Sequence, residues 1–222
     1  MAKYILTFSK TGVICYTSHL DMMKMFKRIF KRAGINQSYS QGFNPHPKMG
    51  FAQPLSLGYW GMNELLEFET DESYDVKYIE NTLQPMMPEG IVITDCREAA
   101  NTGKTLAART EAAEYIIAIP LNTPLSMNAQ EIKTTYMGQD KIRTWKRQKK
   151  KKEPVEVDIK PMIRDISFVT EAETLFVTTL LDSGSSSNLS PELVITTLTE
   201  CLGIDTDRSE IQVMRRKIFF TE

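Results

Sequence analysis

The sequence predicts an α+β protein made of two consecutive ferredoxin-like (βαββαβ) halves. Short runs rich in β-branched and aromatic residues alternate with segments whose apolar residues recur at helical spacing. The same order of elements is found twice along the chain. At 222 residues, the chain is long enough for two small domains, each with its own core.

The first half begins with an alternating stretch at residues 3–9, and a turn at Gly12 predicts a hairpin with a second short strand at 13–16. From residue 18 the apolar period becomes helical, and Gly34 ends this helix. The later elements are an apolar segment at 51–57, a strand at 64–70, a helix at 74–86 and a strand at 91–94. If the hairpin is counted as one strand unit and the short run after Gly34 as the second strand, the order of elements is β-α-β-β-α-β.

A small, polar stretch at 98–112 separates this half, residues 1–97, from a second half at 113–222. The second half repeats the element order of the first, with a basic strand in its middle. Its elements are a strand at 113–119, a helix at 126–136, a basic strand at 141–147, strands at 163–170 and 174–181, a helix at 191–202 and a strand at 211–219. The duplication is predicted from element order, since the two halves share no visible sequence identity.

Composition excludes several classes of protein. Hydrophobic residues make up 41% of the chain and charged residues 25%, which is typical of globular proteins and not of disordered ones. Cys15, Cys96 and Cys201 are far apart and form no CxxC or CxxxCxxC motif, so neither a disulfide framework nor a cluster-binding site is expected. The sequence has no signal peptide and no apolar run of about 18 residues. We therefore expect a cytoplasmic protein without membrane contact.

The segment Ser18-His19-Leu20-Asp21 predicts the start of the first helix. Ser18 is expected to accept a hydrogen bond from the backbone N–H of Asp21, while the Asp21 carboxylate reaches back to the backbone of Ser18. Capping does not explain His19, which is biased towards its neutral form at a helix N-terminus. Its imidazole is a candidate base or substrate contact, and a solvated surface role is the alternative.

A second group of polar residues lies in the loop that follows this helix. Prolines flank His46 on both sides and hold the backbone extended, so the loop is predicted to be stiff and suited to binding. The alternative is a tight connection between two strands, with Gly42 at positive φ. The candidate binding residues of the loop are Ser40, Phe43, Asn44, His46 and Lys48.

A metal site formed by His19, Asp21 and His46 is chemically conceivable, because zinc accepts three such ligands and an open position. Nothing in the spacing of these residues requires it. We therefore predict no metal site and no other cofactor bound by the chain itself.

The net charge is only −1, yet the basic residues are concentrated in two places. Residues 141–152 contain eight basic side chains and no acidic one, with Trp145 among them as a stacking surface. The first helix adds five more cations between residues 24 and 32. A solvated hairpin tip is the alternative reading of the lysine run. The residues predicted to contact nucleic acid are Lys24, Arg143, Trp145, Lys146, Arg147, Lys149, Lys150, Lys151 and Lys152.

The segments SHLDMMKMFKRIFKRAG, YSQGFNPHPKMGFAQPLSLG and MMPEGI resemble the radical SAM-linked protein family. The resemblance is densest over residues 3–90, and beyond residue 98 it consists mainly of length and the DIKPMI segment. It implies a radical SAM partner that carries an iron–sulfur cluster and S-adenosylmethionine. It also implies one shared surface that joins the helix start to the loop. The residues that match the family's motifs are His19, Asp21, Arg28, Arg32, Ser40, Gly42, Phe43, Asn44, Pro45, His46, Pro47 and Lys48.

From these observations we expect a companion of a radical SAM protein that binds RNA and presents it for modification. In this hypothesis the helix start and the loop bind the target group, and the cations hold phosphates. One alternative is a protein-interaction module that docks the radical SAM partner. Another is a small-molecule enzyme that uses His19 and His46. The sequence does not decide whether the chain is itself an enzyme.

Overall fold

The structure, a computed structural model, describes residues 1–100, 103–146 and 153–221. Across these ranges the chain is a mixed α+β protein, as predicted. The strands are β1 (Ala2–Lys10), β2 (Met49–Phe51), β3 (Trp60–Thr70), β4 (Ile91–Glu98), β5 (Thr110–Pro120), β6 (Arg143–Lys146), β7 (Val155–Asp158), β8 (Ile163–Glu171), β9 (Thr174–Asp182) and β10 (Gln212–Phe220). The helices are α1 (His19–Arg32), α2 (Val76–Leu83), α3 (Leu106–Arg109), α4 (Ala129–Met137) and α5 (Pro191–Leu202).

The chain divides into two compact units, Met1–Thr110 with Arg215–Glu222, and Glu111–Met214. The segment predicted to separate the halves contains α3 and the first residues of β5. None of the helices in the described ranges is long and apolar enough to cross a membrane.

The sheet of the first unit has the strand order β4-β1-β3, with β2 paired to β3 and the C-terminal part of β10 also beside β3. β1 pairs antiparallel with both β3 and β4, and β2 pairs antiparallel with β3. In this register Leu6 lies opposite Leu66 on one side and Cys96 on the other. All three side chains are buried, so the register brings apolar residues of three strands into one core.

Helix α1 covers this core with its apolar face. The phenylalanines of α1 contact those of the sheet, with ring centroids 5.2 Å apart for Phe26 and Phe8 and 4.6 Å apart for Phe30 and Phe68. Gly34, at φ +70°, follows the helix as predicted, because glycine adopts this backbone conformation without a Cβ clash. The buried residues of α1 are Met22, Phe26, Ile29 and Phe30, at the spacing that sequence periodicity predicts.

The predicted opening hairpin is wrong. Residues Gly12–Tyr16 form a 3-10 helix instead of a strand. Only Cys15 of this segment is buried, and the Lys10 ammonium donates hydrogen bonds to the carbonyl oxygens of Cys15 and Thr17. These carbonyls are thus bonded to a side chain, and the segment forms a tight turn after β1. The strand before β3 is the three-residue β2, which lies well beyond the run after Gly34.

The sheet of the second unit has the order β5-β9-β8, with antiparallel pairing of β9 to both neighbours. β10 begins in this unit, where it lies beside β5 in the sheet. β6 and β7 form a separate two-stranded sheet. The basic strand at 141–147 was predicted, but β7 was not, because its sequence VEVD is short and follows the lysine run.

Helices α4 and α5 contact one another through a buried hydrogen bond. The hydroxyls of Tyr136 and Thr197 are 2.7 Å apart. Burial raises the pKa of Tyr136 to about 12, so the phenol stays neutral and able to donate. This contact is structural, since both residues lie among buried apolar side chains.

Candidate functional site

The N-terminal turn of α1 is held by its cap. The Ser18 hydroxyl accepts a hydrogen bond from the Asp21 N–H at 3.2 Å and donates one to Asp21 Oδ2 at 2.7 Å. The predicted cap is confirmed, but the carboxylate contacts the Ser18 hydroxyl and not its backbone N–H. Asp21 also pairs with Lys24 at 3.1 Å. Hydrogen bonds from Ser18 and then Lys24 lower the pKa of Asp21.

His19, the first residue of α1, lines a small cavity in the first unit. The cavity has a volume of about 20 Å³, and its apolar walls are formed by Phe8, Met22, Phe51 and Leu55. The His19 ring stands edge-on to Phe51, with centroids 5.3 Å apart. Burial, and then the positive charge of Lys10, lowers the pKa of His19. The structure therefore favours the neutral imidazole, as expected at a helix N-terminus.

Two buried charged residues line this cavity, and a third is paired with one of them. Lys10 and Glu64 line it, and Arg215 donates from Nε to Glu64 Oε1 at 2.9 Å and from Nη2 to Glu64 Oε2. All three are 3% exposed or less. Burial lowers the pKa of Lys10, although Cys15 and Glu64 oppose the shift. Buried charges with this arrangement are typical of functional sites, although structural ion pairs produce them too.

Sequence reasoning missed these three residues. A signal was present, because the even-numbered residues of β3 are buried from Glu64 to Thr70, so Glu64 alternates with the buried Leu66 and Phe68. Arg215 follows the buried Val213 at the same spacing. Charged residues at strictly alternating apolar positions predict a buried ion pair. The pairing partner could not be predicted, because 151 residues separate Glu64 from Arg215.

A separate groove runs along the other side of α1. Lys24, Arg28 and Arg32 line it together with Asp21, because positions three and four apart share one helix face. The groove is open to solvent and has a volume of about 570 Å³. Its apolar floor is formed by Ile14, Met25, Ile29, Met86 and Met87. Four residues that were singled out from the sequence are therefore brought together here.

The loop after α1 is closed by hydrogen bonds between Ser40 and His46. Ser40 and His46 are joined twice, by Ser40 N–H to the His46 carbonyl at 2.8 Å and by His46 N–H to the Ser40 hydroxyl at 3.0 Å. Gly42 has φ +129°, a conformation that glycine favours. The side chains of Phe43, Asn44 and His46 all point into solvent. The loop joins α1 to β2, so it is not a connection between two strands, and it displays polar and aromatic groups to solvent.

The loop and the helix start do not share the His19 cavity. His46 is not among the residues that line it, and Lys48 forms an ion pair with Glu69 at 3.0 Å on another part of β3. In residues 1–100, 103–146 and 153–221, no group of three or more His, Cys, Asp or Glu side chains is placed to hold a metal ion.

The basic hairpin of the second unit is described only in part. Trp145 is 65% exposed on β6, where it is available for stacking. Arg143 pairs with Glu156 across the hairpin at 3.5 Å, and Lys146 donates to the Asn188 carbonyl at 2.9 Å. The other predicted contacts lie outside the described residues. They are Arg147, Lys149, Lys150, Lys151 and Lys152.

The fold and the site define a mixed α+β protein with a cationic groove and a small cavity that contains buried charges. Over residues 3–191 the chain matches the family described as "Uncharacterized protein conserved in bacteria (DUF2344)". The chain belongs to this family, and the match does not link it to radical SAM proteins. No curated protein matches the chain.

The solved structures with weak similarity to the chain include the following two. One, an "Unknown Protein from Galdieria sulphuraria", is 13% identical with a TM-score of 0.28, over 96% of this chain and 98% of its own. The other, described as "putative glycine cleavage system transcriptional repressor", is 11% identical with a TM-score of 0.30, over 99% and 98%. At these TM-scores neither similarity says what this chain does.

Proposed function

We propose that the chain binds RNA through the groove on α1 and presents it to a radical SAM partner for modification. The observation that carries the RNA part is the placement of Lys24, Arg28 and Arg32 on one open face of α1. Cations in a row match the spacing of phosphates along a nucleic-acid backbone, and they supply most of the affinity in sequence-independent binding. The radical SAM partner is proposed because the SHLD and GFNPHPK segments resemble the radical SAM-linked protein family.

The electrostatic balance of the groove supports an anionic ligand. Among the described residues that line it, Asp21 is the one acidic side chain, and it is already paired with Lys24 and hydrogen-bonded to Ser18. Arg28 and Arg32 form no ion pair within the described parts of the chain, and both are exposed. Guanidinium groups of this kind bind phosphate in a bidentate manner, which lysine does not.

A target nucleotide needs a stacking surface in addition to phosphate contacts. Phe43 in the loop and Trp145 on β6 are both exposed aromatic residues. Bases stack on such rings with little dependence on sequence. We propose these two side chains as stacking partners, each within its own unit.

We further propose that each unit is ferredoxin-like. The strand order β4-β1-β3-β2 in the first unit accompanies the element order β-α-β-β-α-β. In the second unit, β5, β8, β9 and β10 with helices α4 and α5 follow the same order, and the β6–β7 hairpin is an insertion. A crystal structure in which either unit has a different strand order would contradict this proposal.

The RNA proposal is tested by fluorescence anisotropy with a labelled bulk RNA fraction at several salt concentrations. The variant Arg28→Gln/Arg32→Gln removes two groove cations. Its matched control, Lys27→Gln/Lys31→Gln, removes the same charge from the same helix outside the groove lining. We expect the groove variant to bind at least tenfold more weakly, with a log–log salt slope smaller by about 1.4 for two lost phosphate contacts on single-stranded RNA.

Equal weakening in both variants would mean that the total charge of α1, and not the groove, attracts RNA. Absence of salt-sensitive binding by the wild-type chain would overturn the proposal. The partner is tested separately, by sedimentation of the chain with a purified radical SAM protein from the same organism, with and without the RNA. We expect a complex that contains all three components.

A protein-docking module is the second candidate function. The methionines in the groove floor favour it, because flexible thioether side chains are common at surfaces that bind amphipathic helices. If the chain binds the radical SAM protein without RNA, and Arg28→Gln/Arg32→Gln weakens that complex, the groove is a docking surface and not an RNA site.

A further inference from the structure

A pocket of the first unit lies on the face of the sheet that α1 does not cover. Glu67 and Glu69 of β3 line it, and they alternate along the strand with Phe68, whose ring contacts Phe30 of α1. Successive side chains of a strand point to opposite faces, so the two carboxylates point away from α1. The pocket has a volume of about 350 Å³, which lies within the range of small-molecule sites.

The glycine at position 50 leaves this space open. In the pairing of β2 with β3, Gly50 lies opposite Glu67, so a side chain at position 50 would project over the same face of the sheet. Gly50 has no positive φ, and a Cβ placed on it would meet no atom within 4 Å beyond its chain neighbours. Neither the backbone conformation nor a close contact therefore requires glycine here. Its effect is to leave room beside the Glu67 carboxylate.

Charges of both signs line the pocket in an alternating arrangement. Lys3 Nζ lies 3.0 Å from Glu67 Oε1, and Lys48 Nζ donates to Glu69 Oε2 at 3.0 Å. Lys3 is also directly opposite Glu69 in the pairing of β1 with β3, and side chains in such pairs are roughly 5 Å apart. The four side chains are 12% to 36% exposed and have no net charge together. A ligand with a net charge would leave that charge unbalanced in a partly buried site.

The pocket contains hydrogen-bonding groups that are free to contact a ligand. The Glu67 side chain is only 12% exposed, yet its carboxylate accepts no hydrogen bond from any residue that the structure describes. Mostly buried carboxylates are normally hydrogen-bonded, so Glu67 is an acceptor for a ligand N–H group. Lys48 donates one hydrogen bond within the described ranges, to Glu69. Because an ammonium group has three N–H donors, Lys48 has two left for a ligand carboxylate.

We propose that this pocket binds a free α-amino acid, whose ammonium group contacts Glu67 and whose carboxylate contacts Lys48. The two charged groups of the ligand are attached to one carbon, which suits charges of opposite sign on neighbouring strands roughly 5 Å apart. A zwitterion also keeps the net charge of the site at zero. The remaining lining, which includes Pro47 and Ala107, is available to the side chain of the amino acid. The pocket shares no residue with the groove on α1, so amino-acid binding and RNA binding succeed or fail separately.

Isothermal titration calorimetry of the full chain with each of the twenty L-amino acids tests the proposal. The tightest ligand is then compared with its N-acetyl derivative, which lacks the ammonium group, and with its amide, which lacks the carboxylate. We expect each derivative to bind at least tenfold more weakly than the parent amino acid. Absence of binding by all twenty amino acids would overturn the proposal. A derivative that binds as tightly as its parent would overturn the assignment of a zwitterion.

Two variants locate the ligand. Gly50→Val fills the pocket with a residue that strands favour, and Lys48→Gln removes the contact to the ligand carboxylate. Each is expected to weaken binding at least tenfold, and Lys48→Gln decides the question if Gly50→Val does not fold. The matched control is Arg97→Gln, which breaks the exposed pair with Asp95 away from the pocket and is expected to leave affinity unchanged. Wild-type affinity in folded Gly50→Val or in Lys48→Gln would place the ligand elsewhere and contradict the proposal.

Discussion

Positively charged side chains are buried on one side of α1 and exposed to solvent on the other. On the cavity side, Lys10 and Arg215 are removed from water and held by carbonyl and carboxylate oxygens. On the groove side, Arg28 and Arg32 stay in water above a floor of methionines. Buried cations need partners of fixed geometry, because the free-energy cost of desolvation exceeds the attraction that a poorly oriented partner provides. Exposed cations need none and are free to contact a ligand. The comparison predicts that substitutions on the cavity side change stability and those on the groove side change binding.

The largest effect is expected from Glu64→Gln. This substitution leaves the Arg215 guanidinium buried without its counter-ion, and breaking a buried pair in this way costs about 3–5 kcal/mol. The free energy of unfolding is measured by urea denaturation. The matched control is Glu69→Gln on the same strand, which breaks the partly exposed pair with Lys48 and is expected to cost less than about 1 kcal/mol. Equal costs would show that burial does not distinguish the two pairs.

Ser18→Ala is expected to have an intermediate effect on the free energy of unfolding, because Ser18 caps the whole helix and belongs to neither side alone. It removes the acceptor for the Asp21 N–H and is expected to cost about 1 kcal/mol. Urea denaturation measures the loss, and Ser18→Asn, which also caps helices well, is expected to restore most of it. If Ser18→Asn is as unstable as Ser18→Ala, the hydroxyl acts through its bond to the Asp21 carboxylate and not as a cap.

A smaller effect is expected for the pH dependence of stability through His19. Its folded pKa lies below the ordinary value of 6.5, so the unfolded chain binds more protons just below pH 6.5. The contribution of His19 is fully present above pH 6.5 and is lost as pH falls through the folded pKa. Unfolding curves between pH 7 and pH 5 are expected to show a shallower decline for His19→Gln than for wild type. A steeper or unchanged decline would contradict the burial of this imidazole.

The smallest effect on stability is expected for Arg28→Gln/Arg32→Gln. Both side chains are exposed, and surface substitutions of this kind change stability by about 0.5 kcal/mol or less each. The same urea denaturation gives the value. A loss of several kcal/mol would mean that the groove arginines support the fold, and reduced RNA binding by this variant would then not identify a binding surface.

The sequence by itself determined the features that depend on local spacing. The helical period from residue 18, the Ser18 cap and Gly34 predicted α1 nearly to its ends. The same period places Lys24, Arg28 and Arg32 on one face of α1, but the groove that they line was not predicted. The alternation of strands and helices also gave the α+β class. Each of these features involves residues within a few turns or one strand.

Tertiary structure alone decided the conformation of the segment after β1, the cavity and the buried ion pair. The segment 13–16 has the composition of a strand, yet it lies in a 3-10 helix, where Lys10 donates to the carbonyl oxygen of Cys15 and to that of the next residue but one, Thr17. The cavity is lined by residues of β1, α1, β2 and β3 and of the segment between β2 and β3. The pair of Glu64 with Arg215 spans 151 positions of sequence. Local periodicity shows that a charged residue is buried, but which residue neutralises it depends on strand pairing over the whole unit.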